Sequence, residues 1–229
     1  MHEKLLHRTA GRLADRHRRR HRTRPPETAG TTGPGELVLD PVKVRDFSAG
    51  TLGAQDEAAL AREVAELLPH GWDLPYKLKQ ALQELVAHLG GEDELMKWLD
   101  THPGRPRLTA RIYALLGLLD QYGGTPEVVE ALRRSRERDP YPAGLRELLV
   151  PQTDAETLSD LGYRIEALLT DGKVERATAL ALTTADWLRR SLTGAEAEQA
   201  GLDDLLTYAR EDLDQAAKEE KATGGGGGP

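Results

Sequence analysis

The nearest approach to a reaction centre in this sequence is a pair four residues apart, Glu84 and His88. On a helix that spacing puts both on one face, where they could act as an acid–base pair or offer two ligands to a metal ion. A metal site needs at least a third ligand, and no HExxH or comparable pattern supplies one. The pair therefore reads as a surface contact within one helix. No GxSxG elbow, Walker loop or GxGxxG fingerprint occurs. The five glycines from Gly224 have no strand and helix to make them a phosphate loop. The chain has no cysteine, which removes disulfides, thiolate nucleophiles and Cys-based zinc sites. Asp203-Asp204 and Glu211-Asp212 read as parts of a solvated acidic face. No catalytic, metal-binding or cofactor-binding residue is assigned, and no cofactor is expected.

Binding chemistry is better represented. The segment RHRRRHRTR carries Arg16, Arg18, Arg19, Arg20, Arg22 and Arg24. Residues 1–26 hold nine Lys/Arg against Glu3 and Asp15, a net charge of +7, and the whole chain is −7, so residues 27–229 carry −14. Six closely spaced arginines suit non-specific contact with a nucleic-acid backbone through counterion release. A membrane surface or an acidic protein would satisfy the same charge. The arm has no aromatic residue on which a base could stack, and the acidic remainder opposes a polyanion. A merely solubilising extension is the simplest account of the arm.

The elements that would position such residues are helical. Residues 1–35 read as a disordered basic arm and linker, since three leucines cannot bury a face and Pro25-Pro26 stops any helix. Residues 36–53 read as an extended segment, with Leu37, Val38, Leu39, Val42 and Val44 interrupted by Pro41. Residues 54–150 carry apolar positions at helical spacing: Leu60, Val64 and Leu67, then Leu78, Leu82, Leu85 and Leu89, then Leu95 and Leu99. The run from Ile112 to Leu119 is apolar on nearly all sides and predicts the central helix of a compact bundle. A short helix is expected around Leu145–Leu149. Residues 151–222 predict a helical hairpin with a capping helix, Thr153 and Glu156 forming a capping box and Asp171-Gly172 the turn. The capping helix should fray into AAKEEKAT, and residues 223–229 read as a disordered Gly-rich tail. The fold class is all-α.

Two stretches resemble known families. From Leu161 to Arg189, Gly172 stands at an interhelical turn, Ala177 follows where two helices would cross, and Ala181 comes one turn on. With Leu161, Ile165 and Leu168 as packing positions, this is similar to a single tetratricopeptide-type hairpin, although Thr184 replaces a typical small Ala. From about Leu60 to Leu149, the buried helix with Ile112, Leu115, Leu116 and Leu119 is followed by Gly123-Gly124 and a helix with Val128, Val129 and Leu132. That order resembles the small effector-associated, death-like helical domains of bacterial conflict systems. The resemblance implies adaptor work, one helical module docking on another by a surface.

The expected function is a non-enzymatic protein–protein interaction module or adaptor whose partner is another protein. The alternative is a nucleic-acid-associated regulatory protein that uses its basic arm for backbone binding. Trp98, on a short helix between glycine and proline breakers, and Trp187, beside Arg189 and Arg190, are the expected interface residues, because tryptophan with arginine is enriched at binding hot spots. Residues 173–193 could instead be a DNA recognition helix, but their apolar face predicts a packing helix. No apolar run reaches the roughly 18 residues that span a bilayer. No signal peptide is expected, and the absence of cysteine leans toward a cytoplasmic location.

Overall fold

The computed structural model describes residues 37–123, 125–138, 154–194, 198 and 201–224. The arm with Arg16–Arg24, the expected short helix at 145–149, the capping box at Thr153 and the tail beyond Gly224 lie outside these residues. Every regular element among them is helical, and none contains a strand.

The first helix, α1 (Pro41–Ser48), corrects the extended reading of 36–53. Pro41 opens a helix rather than interrupting a strand. Here Asp40 is the N-cap, its Oδ1 accepting from the Val42 backbone N–H at 2.8 Å. Pro41 then occupies the first turn, where a missing N–H costs no hydrogen bond. Only Leu39 and Val44 of the apolar run are buried, while Val38 and Val42 are about half exposed. Glu63 of α2 (Ala54–Leu67) anchors α1 by accepting from the Asp40 backbone N–H and pairing with Lys43.

α2 buries Leu60, Ala61, Val64, Ala65 and Leu67 and runs into a 3₁₀ turn, Leu68–Asp73. Next come α3 (Tyr76–Leu89) and α4 (Glu92–Thr101), whose first turn holds Glu92, Asp93 and Glu94 toward the positive end of the helix dipole. Residues 105–122 form α5 (Arg105–Tyr122), on which the bundle is built. Eleven of its side chains are buried and Asp120 is its one exposed residue. α2, α4, α7, α8 and α9 all pack on it. A helix apolar on nearly all sides must be enclosed in this way.

α6 (Pro126–Arg138) is followed by the hairpin of α7 (Asp154–Thr170) and α8 (Val174–Ser191). Gly172 turns the chain at φ 72°, with its N–H on Leu169 O and the Lys173 N–H on Leu168 O. α8 buries nine side chains, from Val174 to Leu188, so residues 173–193 form a packing helix. The hairpin shares one continuous core with the bundle, and the Thr170 hydroxyl donates to Pro69 O at 2.8 Å across the two.

α9 (Leu202–Gly224) caps the hairpin and also lies along α5. It does not fray at AAKEEKAT as its polar composition suggests. Ala216 is buried, Asp214 pairs with Lys218, and Glu219 accepts both Nη1 contacts of Arg107 at 2.8 and 3.0 Å. Further up, Arg111 bridges Asp100 of α4 (2.7 Å) and Asp212 of α9 (2.9 Å). A Cβ at Gly104 would stand 2.6 Å from Thr223 Oγ1, so the turn before α5 admits the end of α9 closely. No helix among the described residues is long and apolar enough to cross a membrane.

Leu116→Ala is expected to cost about 2–5 kcal/mol, because Leu116 is fully buried at the centre of α5; denaturant unfolding measures it. Arg111→Met should cost about 3 kcal/mol at neutral pH by leaving Asp100 and Asp212 facing each other without their cation. Burial already pushes the Asp100 carboxyl above its ordinary range, against the pull of Arg111 and Arg107. A raised carboxyl pKa favours the folded state at low pH and less so as pH rises through the folded value. Removing Arg111 raises it further, so the gap between variant and wild type should narrow as pH falls toward the carboxylate range.

Candidate interaction site

The last turns of α8 and the first turns of α9 present matching triplets. Asp186, Arg189 and Arg190 stand at i, i+3 and i+4 on one helix, and Thr207, Arg210 and Glu211 at the same spacing on the other. Residues so spaced share a helix face. The packing of α8 on α9 turns both faces toward a common cleft of about 520 Å3. Beneath it Leu188, Leu206, Ala209 and Leu213 are buried and fix the relation of the two helices.

The polar groups of the cleft are unequally engaged. Arg210 Nε donates to Asp186 Oδ1 at 2.8 Å, which ties α9 to α8 and neutralises that carboxylate. Arg190 Nε donates to the Asp186 backbone oxygen at 3.3 Å, near the negative end of the α8 dipole. Arg189 Nε is buried without a hydrogen-bond partner among the described residues. Neither Arg189 nor Arg190 forms an ion pair among the described residues, although Asp186 and Glu211 line the same cleft. Guanidinium groups keep their charge at any physiological pH and present a planar fork of donors to an oxyanion.

Arg189 and Arg190 thus meet at one site, as their sequence positions suggested, but Trp187 does not join them at the surface. Its exposure is 4 %, and the indole is part of the core. The reason is the helix period: Ala177, Leu180, Ala181, Thr184, Ala185 and Leu188 define the buried face of α8, and Trp187 falls within it. Trp98 stands elsewhere, half-buried on α4. Its Nε1 donates to Glu57 Oε1 at 3.0 Å, and its ring packs against Phe47 at 5.3 Å and His102 at 4.9 Å. His102 Nε2 lies 3.6 Å from the same Glu57 oxygen.

Glu84 and His88 turn to different neighbours. Glu84 accepts from Gln80 at 3.2 Å, and His88 meets the Phe47 ring edge-on at 5.7 Å. No group of three potential metal ligands occurs among the described residues. Of the acidic pairs read as solvated, Asp212 is not: it is largely buried against Arg111. Asp186, Thr207 and Arg210 join the site without being expected from the sequence. The signal that could have found them is the repeated i, i+3, i+4 polar triplet on two successive helices.

No family model, curated protein or solved structure matches the chain.

Burial separates the two tryptophans. Trp187→Ala should destabilise by about 3–5 kcal/mol, as loss of a buried aromatic does. Trp98→Ala should cost less, because its ring is only half enclosed. Thermal unfolding of both variants checks the order; equal losses would mean that Trp98 is as fully core as Trp187.

Proposed function

We propose that this protein is a non-enzymatic helical interaction module that docks another protein on the α8–α9 face. The observation that carries the reading is the pair Arg189 and Arg190, set in an open cleft and without a carboxylate partner among the described residues. Arg190 is exposed and Arg189 only partly covered, so both can meet an outside partner at little cost to the fold. Arginine at the centre of a recessed, helix-walled surface is the composition of binding hot spots. The rigid backing of Trp187, Leu188 and Leu206 supports the same reading, since a preordered surface loses little entropy on binding. A cytoplasmic adaptor is the role that this reading implies, in line with the helical adaptor resemblance of residues 60–149. The arm with Arg16–Arg24 supports a second role by its sequence, backbone contact with nucleic acid.

Affinity capture with cross-linking tests the two together. The full chain, a chain lacking residues 1–24 and a doubly substituted R189E/R190E chain are compared. The expected result is a protein partner cross-linked to α8 and α9, kept by the truncated chain and lost from the double variant, whose circular dichroism is unchanged. A partner that survives the double substitution, or capture of nucleic acid alone that disappears with the arm, would overturn docking on this face. Turnover of a metabolite by the full chain without any captured protein would overturn the non-enzymatic reading.

A further inference from the structure

α9 is held in two different ways along its length. As far as Ala216 it is anchored by burial, with Leu202, Leu206, Ala209, Leu213 and Ala216 all entering the core. After Ala216 no residue of the helix is buried, and Ala217 is the last whose side chain packs against the core. Residues 218–224 read KEEKATG and bring no apolar face. Charge and fit seat them instead. Glu219 accepts from Arg107 Nη1 at 2.8 and 3.0 Å, the two side chains being 22 % and 30 % exposed. Glu220 lies by Arg105, and Thr223 Oγ1 is 2.6 Å from where a Cβ at Gly104 would stand.

Two features make this end conditional. An ion pair so exposed is screened by salt, whereas the burial upstream is not weakened by it. The macrodipole also places partial negative charge at the C-terminal end of α9, where Glu219 and Glu220 are unfavourable for the helix taken alone. Lys221 is the one cation of the last turn. Docked, the arginines of α5 offset the repulsion; undocked, the carboxylates destabilise the last turns. The seat itself stays built when the end leaves. Arg107 Nε is held by the Asp100 backbone oxygen at 2.8 Å, and Arg111 keeps its contacts with Asp100 and Asp212.

We infer that residues 217–224 form a strap that leaves and rejoins the corner between α4 and α5 while the rest of α9 stays in place. Its position is set by the contact of Glu219 with Arg107, and so by ionic strength. Release uncovers Gly104, Arg105 and Arg107 without disturbing the buried side chains of α9 that back the α8–α9 cleft.

The chain has no cysteine, so a single introduced one carries a nitroxide at a unique position. Ala222→Cys places the label on the strap, and Asp204→Cys places it on the first turn of the anchored part; both residues are exposed. Electron paramagnetic resonance spectra of the full chain are recorded as NaCl rises from about 0.1 M to about 1 M, which shortens the Debye length from about 10 Å to about 3 Å. At low salt the label at 222 should be largely immobilised, with a mobile component that grows several-fold at high salt. Arg107→Gln and Glu219→Gln should each produce that component already at low salt, with circular dichroism otherwise unchanged. The label at 204 should keep its spectrum throughout. Should Arg107→Gln fail to fold, Glu219→Gln and the salt series carry the same test. A label at 222 that stays immobile under every condition would make the end a fixed part of the bundle and overturn the strap. One that is fully mobile under every condition would show that the end never docks. Loosening at 204 in step with 222 would mean that α9 moves as a whole, which also overturns it.

Discussion

A helix that is apolar almost all round has to be enclosed, and the enclosure of α5 is the constraint on which the rest of this protein depends. α2 and α4 cover one part of it, α7 and α8 another, and α9 closes the remainder. The closing side is the polar one. Arg107 and Arg111 lie one turn apart on α5, and each reaches a carboxylate of α9 while Arg111 also holds Asp100 of α4. Arg105 continues that edge; burial holds its guanidinium below its ordinary range, and Glu66 and Glu220 oppose the shift. Apolar contact supplies most of the free energy of enclosure, since Leu206, Ala209, Leu213 and Ala216 all disappear into the core. The ion pairs contribute less energy than register, because partly buried pairs offset their own desolvation. They decide where along α5 the last helix sits.

Much of this fold was legible because apolar spacing is a direct record of enclosure. The all-round apolar run from Ile112 to Leu119, the hairpin turning at Gly172 and the packing face of α8 follow from periodicity alone. Two readings failed for a common reason: local composition was judged without its partners. Pro41 breaks a strand but opens a helix when Asp40 is free to cap it. The AAKEEKAT segment has no apolar stripe to hold it, yet Glu219 and Glu220 find arginines of α5 more than a hundred positions earlier. Contacts of that separation leave no trace in a local pattern.

The candidate site was legible only in part. Arg189 and Arg190 stand out beside a tryptophan, but proximity in sequence to Trp187 suggested a mixed aromatic and basic edge. Two helical steps of about 100° each divide Trp187 from Arg189 and set them on opposite sides of α8, so the tryptophan is buried while Arg189 is only partly covered. Arg210 and Thr207 stand out only through the spacing they share with the α8 triplet, and within their own helix resemble an ordinary charged face. They become members of a site only when α8 and α9 are placed side by side.

That placement links the site to the clamp. Glu211 and Asp212 are adjacent, yet they point to opposite duties: Glu211 lines the cleft and Asp212 is bound to Arg111 on α5. One turn earlier, Leu206 and Ala209 are buried while Thr207 and Arg210 face the cleft. A helix cannot rotate its outer face without rotating its inner one, so the register that Arg111 and Arg107 impose on α9 also fixes where Arg210 meets Asp186. The cleft therefore borrows its rigidity from an interior ion network that it does not touch.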